Sequence, residues 1–235
     1  MGIRCRPTTP VSKLAMARPL SFIARVRKRV ASSAIGASTV RGMGPKGTAA
    51  RARTLLARVN LNRFGVDSKR KFDRVFNRVT ESFRRSLPRG ARHWGLARKL
   101  LNIFLRDTTY NRFLSQRFGL WRVERWLEVP LDSHVGKQLR SSSEGQRLPR
   151  WKTVIGLTPS VSAEFQKVAT AVARRRRVTR ADLDVYYWRN PAMANQPLQR
   201  TRRKRRAAER RRVCRAWHRT YRVQVPMPGI GGAEG

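Results

Sequence analysis

Acidic residues are scarce: 13 Asp and Glu stand against 54 Lys and Arg in 235 residues, a formal net charge of +41. An ordinary domain is about one quarter charged with the signs near balance. The excess here cannot be neutralised internally, so a polyanionic partner is the first expectation. Cysteine is nearly absent. Cys5 and Cys214, at opposite ends of the chain, exclude a disulfide scaffold and a four-cysteine zinc finger or iron–sulfur cluster held by one chain. No cofactor is therefore expected. No apolar run reaches the roughly 18 residues of a membrane-spanning helix, so no membrane partner is expected either. A phosphate-cradling Gly-rich loop, metal-spaced His/Cys clusters and a nucleophile elbow are missing too. What is present is 40% hydrophobic residues and six Trp, enough for a core of moderate size.

The charge divides the chain. Residues 1–66 hold 14 basic and no acidic residues, 67–190 hold 28 basic against 11 acidic, and 191–235 hold 12 against 2. Only the middle part mixes signs and repeats apolar residues regularly. Residues 1–45, with the flexible-looking MGPKG at 43–47, read as a basic disordered or targeting extension. An organelle transit peptide is similarly Arg-rich, Ser-rich and free of acid. Without one, a cytoplasmic or nucleoid location is expected. Residues 191–235, with RTRRKRRAAERRRVCRAWHR at 200–219, read as an Arg-rich disordered tail, because such a block repels itself. Residues 46–190 are the expected folded domain, and a monomer is expected.

That domain reads as all-α, a compact multi-helix unit. After Asp67 and Ser68 as caps, Phe72, Val75, Phe76, Val79, Phe83 and Leu87 recur at helical spacing until Pro88 and Gly90. A second helix spans Arg92 to Arg106 with Leu96, Leu100, Ile103 and Phe104 inward. Thr108 and Thr109 are expected to cap a short helix that stops at Gly119. Asp132 opens another through Val135 and Leu139, followed by a polar loop at 141–150. Thr158 caps a helix with Pro159 first and Val161, Phe165, Val168 and Val172 inward. Thr179 and Asp182 pair as a capping box before Leu183, Tyr186 and Tyr187.

Three features could carry chemistry. Lys99 lies on the stripe Arg92, Gly95, Lys99, Asn102, Arg106, whose plain reading is the solvated face of an amphipathic helix. Asp132, in VPLDSHV at 129–135, is well placed as an N-cap. The aromatics Trp94, Phe104, Trp121, Trp126, Tyr186, Tyr187 and Trp188 could wall a pocket or simply pack the core.

The two polar segments together resemble a family. RKLLNIFL at 98–105 followed by VPLDSHVGKQLR at 129–140 is similar to the helix-hairpin-helix DNA glycosylases, where a Lys in R-K-x-x-N-x-x-L precedes an Asp in V-D-[ST]-H-[VI]. Arg98, Lys99, Asn102 and Leu105 match the first pattern. Val129, Asp132, Ser133, His134 and Val135 match the second, with Pro130-Leu131 before the Asp. The stretch ADLDVYYW at 181–188 is similar to a late helix of the 8-oxoguanine branch. The hairpin itself departs from L-P-G-x-G, reading LPRGARHWGLARK, and the stretch Asp107–Trp126 is an insert where many relatives have a short link. The resemblance covers residues 67–190. It implies a helical fold of helix-hairpin-helix glycosylase type with a cleft between two lobes, Lys99 as the Schiff-base nucleophile and Asp132 as its supporting carboxylate.

The expected activity is thus base excision with AP lyase activity on a damaged base, acting on duplex DNA. A flipped base needs apolar walls, for which Trp94, Trp121, Trp126 and Trp188 are the candidates. Arg92, Arg98, His134, Lys137 and Arg140 are the candidate DNA contacts. Arg98 also supplies a cation beside Lys99, which favours the neutral, nucleophilic amine. The alternative is a non-catalytic basic protein that holds structured RNA or DNA by its phosphates.

Overall fold

The computed structural model describes residues 21–187, so the expectations for residues 1–20, Trp188 and the tail lie outside the described residues. The described part is helical throughout, with no strand. The helices are α1 (Phe22–Ala34), α2 (Thr48–Ala57), α3 (Lys69–Ser86), α4 (Trp94–Tyr110), α5 (Arg112–Phe118), α6 (Ser133–Arg140), α7 (Pro159–Arg176) and α8 (Leu183–Tyr187), joined by short turns. None of the helices is long and apolar enough to cross a membrane.

The caps follow local chemistry. Ser68 Oγ accepts from Lys71 N, Thr158 Oγ1 from Val161 N, and Asp132 Oδ1 from Val135 N, each satisfying a first-turn amide that has no helical partner. Pro159 begins α7, where no amide hydrogen is needed. Asp182 Oδ2 accepts from Thr179 N at 3.1 Å before α8. One boundary departs from the sequence reading. α4 runs through Thr108 and Thr109 to Tyr110, and the cap of α5 is Asn111, whose Oδ1 accepts from Leu114 N at 3.1 Å. Thr108 turns its hydroxyl back to Leu105 O inside the helix instead. α5 then ends on Gly119, left-handed at φ 64°.

The folded part begins far earlier than residue 46. α1 buries Val30, Ala31 and Ala34 against α2 and α4, and Ile35 follows them into the core. Arg27 donates to Val59 O and Arg53 to Ile35 O, tying the segment down by its backbone. The interruption of Leu20–Val26 by arginine concealed this helix in the sequence. Its apolar residues Ile23, Val26 and Val30 nevertheless keep helical spacing, and arginine can lie along a helix with its head in water.

Two apolar clusters result. The first joins side chains of α1 to α5, with Phe64, Phe72 and Phe76 in ring contact at 5.4–6.4 Å and Trp126 laid on Phe72. The second joins Val129, Leu131, Val135 and Leu139 to Phe165, Ala169, Val172, Leu183 and Tyr187. α4 belongs to both: Leu96, Leu100, Leu101 and Phe104 enter the first, while Trp94 packs on the second. Gly95 makes that reach feasible. A Cβ there would meet Val154 O at 2.1 Å and Leu157 Cβ at 2.7 Å, so only glycine admits the turn Val154–Gly156.

A consequence is that α1 is structural. Ala31 is fully buried, and Ala31→Asp should lower stability by at least about 2 kcal/mol in chemical denaturation, because it buries an unpaired carboxylate. An unchanged midpoint would return α1 to the status of a dispensable arm.

Candidate functional site

The middle of α4 is enclosed by other elements, so the polar side chains there are largely shielded from solvent. Arg98 and Lys99 are each only 7% exposed and Asn102 is buried. This overturns the solvated-stripe reading for Lys99. A buried cation must find an anion and further hydrogen bonds, and each of the two finds its own.

Arg98 meets Glu128 in a two-point ion pair, Nε to Oε2 at 2.8 Å and Nη2 to Oε1 at 2.7 Å. Its Nη1 donates to Asn77 Oδ1 and Thr80 Oγ1 on α3, both at 3.0 Å, and its guanidinium lies 3.6 Å from the Phe76 ring centre. Burial would raise the Glu128 carboxyl, but the Arg98 charge and hydrogen bonds outweigh it and hold Glu128 below the usual carboxylate range. The candidate DNA contact Arg98 is therefore an internal brace between α3, α4 and the segment before Pro130. Its charge is also compensated by Glu128, so its effect as the cation beside Lys99 is offset.

Lys99 points to Asp132. Nζ stands 3.4 Å from Oδ2, while Oδ1 of the same carboxylate accepts from Val135 N at 2.9 Å. Asp132 is thus both the N-cap of α6 and the partner of a buried amine brought from a helix 33 residues earlier. Its backbone is extended (φ −132°, ψ 179°), and the stretch before it is clamped. Gln166 on α7 accepts from Val129 N at 3.1 Å and donates to Val129 O at 2.8 Å. Arg180 donates to Leu127 O and Trp126 O.

A third charged group adjoins this pair. Arg106, two turns after Lys99 on α4, bridges Asp107 at 3.0 Å and Asp184 on α8. Burial pushes Asp184 above the ordinary carboxylate range; Arg106 and Lys99 oppose that rise and Asp132 adds to it. Asp107 is raised by burial as well, with Arg106 opposing. Burial alone would lower the Arg106 guanidinium, but the two carboxylates reverse this.

The other candidates are scattered. His134 Nε2 meets Tyr187 O and so ties α6 to α8. Arg92 is exposed on the turn between α3 and α4, with Nε donating to Leu87 O at 3.0 Å. Lys137 is exposed and Arg140 half-buried on α6, without an ion pair among the described residues. The tryptophans do not form one wall. Trp126 packs in the first cluster and Trp94 on the second, whereas Trp121 is more than half exposed. Glu128, Gln166, Arg180 and Asp184 were missed in the sequence, and Arg106 was read only as a member of the polar stripe. A Gln on the inward face of α7, between Phe165 and Ala169, was the one local signal. Among the described residues no group of three His, Cys, Asp or Glu side chains gathers as a metal would require.

Two predictions follow from these charges. Glu128→Gln should cost about 3–5 kcal/mol near neutral pH, because it leaves Arg98 buried without its anion. Since Glu128 is held below its unfolded value of about 4.3, its contribution is complete above that pH and is lost as pH falls through the lower folded value. The gap between parent and variant in urea unfolding should therefore close in acid, and a constant gap would contradict the assignment. At Asp132, Asn keeps the cap and Ala removes it. Asp132→Ala should be less stable than Asp132→Asn by about 0.5–2 kcal/mol, and equal stabilities would show that Oδ1 is not capping.

No family model matches the chain, and no curated protein or solved structure matches it either.

Proposed function

We propose that the protein is a base-excision DNA glycosylase with AP lyase activity, of the helix-hairpin-helix type, using Lys99 as its nucleophile. The observation that carries the reading is the buried Lys99 amine facing the Asp132 carboxylate at 3.4 Å. Those two residues are the pair that the sequence resemblance puts at the reacting carbon, and they come from two separate helices.

The chemistry needs little else. With the damaged nucleotide turned out of the duplex, Asp132 stabilises positive charge as it develops on the sugar. Once the Lys99 ammonium has given its proton to water, the amine donates its lone pair to the anomeric carbon while the bond to the base breaks. The base leaves with that electron pair and takes a proton. Loss of a proton from the new ammonium and opening of the sugar ring give an imine between Lys99 and the anomeric carbon. β-Elimination then cleaves the strand, and water releases the lysine. Asp132 is fixed for this task by its own capping bond, and the stretch before it by Gln166, which accepts from Val129 N. The strong positive balance of the chain favours binding to the phosphate backbone.

A non-catalytic nucleic-acid-binding protein is the second reading. It is favoured by the dispersal of Trp94, Trp121 and Trp126, which do not share one cluster.

Borohydride trapping separates the two. Full-length protein with duplex DNA containing 8-oxoguanine or an abasic site should give a covalent complex of retarded mobility. Lys99→Gln should abolish it while duplex affinity changes by less than about twofold, since one of many charges is lost. Trapping of Lys99→Gln at the parent level would sink the assignment, because amines elsewhere in this basic chain would then account for it.

A further inference from the structure

Among the described residues few large apolar side chains are exposed, and four of them are aromatic: Phe22, Tyr110, Phe113 and Trp121. Tyr110, Phe113 and Trp121 belong to the stretch from the end of α4 to the turn Leu120–Arg122, and Phe22 of α1 touches Phe113. Phe22 and Phe113 meet edge to face at 5.2 Å and are 59% and 49% exposed, while Trp121 is 55% exposed. The core does not require them outside. α5 satisfies its packing with Leu114 and Phe118, which enter the first cluster, and Phe113 is left on the outer side. Exposed aromatics on packed elements, Phe22 against Phe113 and α5 against the turn that carries Trp121, mark an interaction surface.

Charge selects the partner. Between Asp107 and Glu124 the sequence contains Arg112, Arg117 and Arg122 and no acidic residue, all three arginines are exposed, and the Tyr110 hydroxyl, which donates to Asp182, is already engaged. Two of them lie over a ring: Arg112 5.9 Å from the Phe113 centre and Arg122 5.1 Å from that of Trp121. Rings that offer a face, alternating with guanidinium groups, suit a strand that alternates bases and phosphates. In duplex DNA the base faces are already stacked, so only an unpaired strand can use such rings. We propose that the outer side of α5, with the turn Leu120–Arg122 and Phe22, is a stacking platform for the bases of single-stranded nucleic acid. Phe113 and Trp121 take the bases, and Arg112, Arg117 and Arg122 take the phosphates. The platform is separate from Lys99 and Asp132 and does not depend on excision.

The test is fluorescence anisotropy of the full chain at one fixed salt concentration, because phosphate binding varies steeply with salt. One probe is a 12-nucleotide oligothymidylate. The other has the same length and phosphates but tetrahydrofuran in place of every nucleoside, so it has no bases and no aldehyde that a lysine could trap. The oligothymidylate should bind at least about tenfold more tightly, given the strength of base–aromatic stacking. Phe113→Ala combined with Trp121→Ala should remove most of that preference and leave the base-free probe unchanged. Phe113→Tyr with Trp121→Phe should retain it. Equal affinity of the parent for both probes would overturn the platform, as would an undiminished preference in the double alanine variant, and either result would point to a protein partner for these rings. Lys99→Gln should keep the preference, so failure of the imine chemistry and failure of the platform are read separately.

Discussion

Two cations carried inward on one enclosed helix, Arg98 and Lys99, set the terms for much of what surrounds α4. Neither can reach water freely, so each requires an anion delivered from elsewhere in the chain. Glu128 and Asp132, four residues apart around Pro130, supply the two charges from a single extended stretch. The segment 128–132 is thereby pinned alongside α4 by charge, and Gln166 and Arg180 complete the fixation through its backbone. Structural and chemical demands then diverge along α4. Arg98 is saturated by Glu128, Asn77, Thr80 and the Phe76 ring, which makes it a brace. Lys99 has a single carboxylate at 3.4 Å, which leaves its amine the freer of the two.

This arrangement explains how Asp132 can serve two purposes at once. A carboxylate has more lone pairs than one helix cap uses. Oδ1 fixes the orientation through Val135 N, and that same fixation leaves Oδ2 directed at Lys99. Capping and pairing are therefore one geometry. The Arg106–Asp184 contact and the His134–Tyr187 contact hold α8 beside α4 and α6 in a comparable way, through single polar links to each.

Much of the helical frame was legible in the sequence because its signals are local. Ser68, Asp132 and Thr158 sit before apolar periods and cap the helices that follow, and Gly119 closes α5. The Lys99–Asp132 pairing was legible only through the motifs that carry the family resemblance. What escaped was non-local. Thr108 and Thr109 looked like caps, yet α4 continues through them because its surroundings are buried on most sides. α1 was hidden by four cations among its apolar residues. The burial of Lys99 could not be read from a polar stripe, since the stripe implies solvent only when a helix lies at the surface. Glu128, Gln166 and Arg180 act across 30 residues or more, on backbone atoms or one buried guanidinium, and no spacing rule announces such partners.

The claim on which everything else rests is that Asp132 compensates a buried Lys99 ammonium, and a double-mutant cycle on stability measures that directly. Lys99→Met, Asp132→Asn and the combined variant are compared with the parent by urea unfolding near neutral pH, with Asn chosen because it preserves the cap. Asp132→Asn alone strands the ammonium, whereas the combined variant removes it. The combined loss should therefore fall short of the sum of the single losses by at least about 1 kcal/mol, within the range seen for contacting charged pairs. Additivity within about 0.5 kcal/mol, the behaviour of independent sites, would contradict the pairing and with it the candidate site.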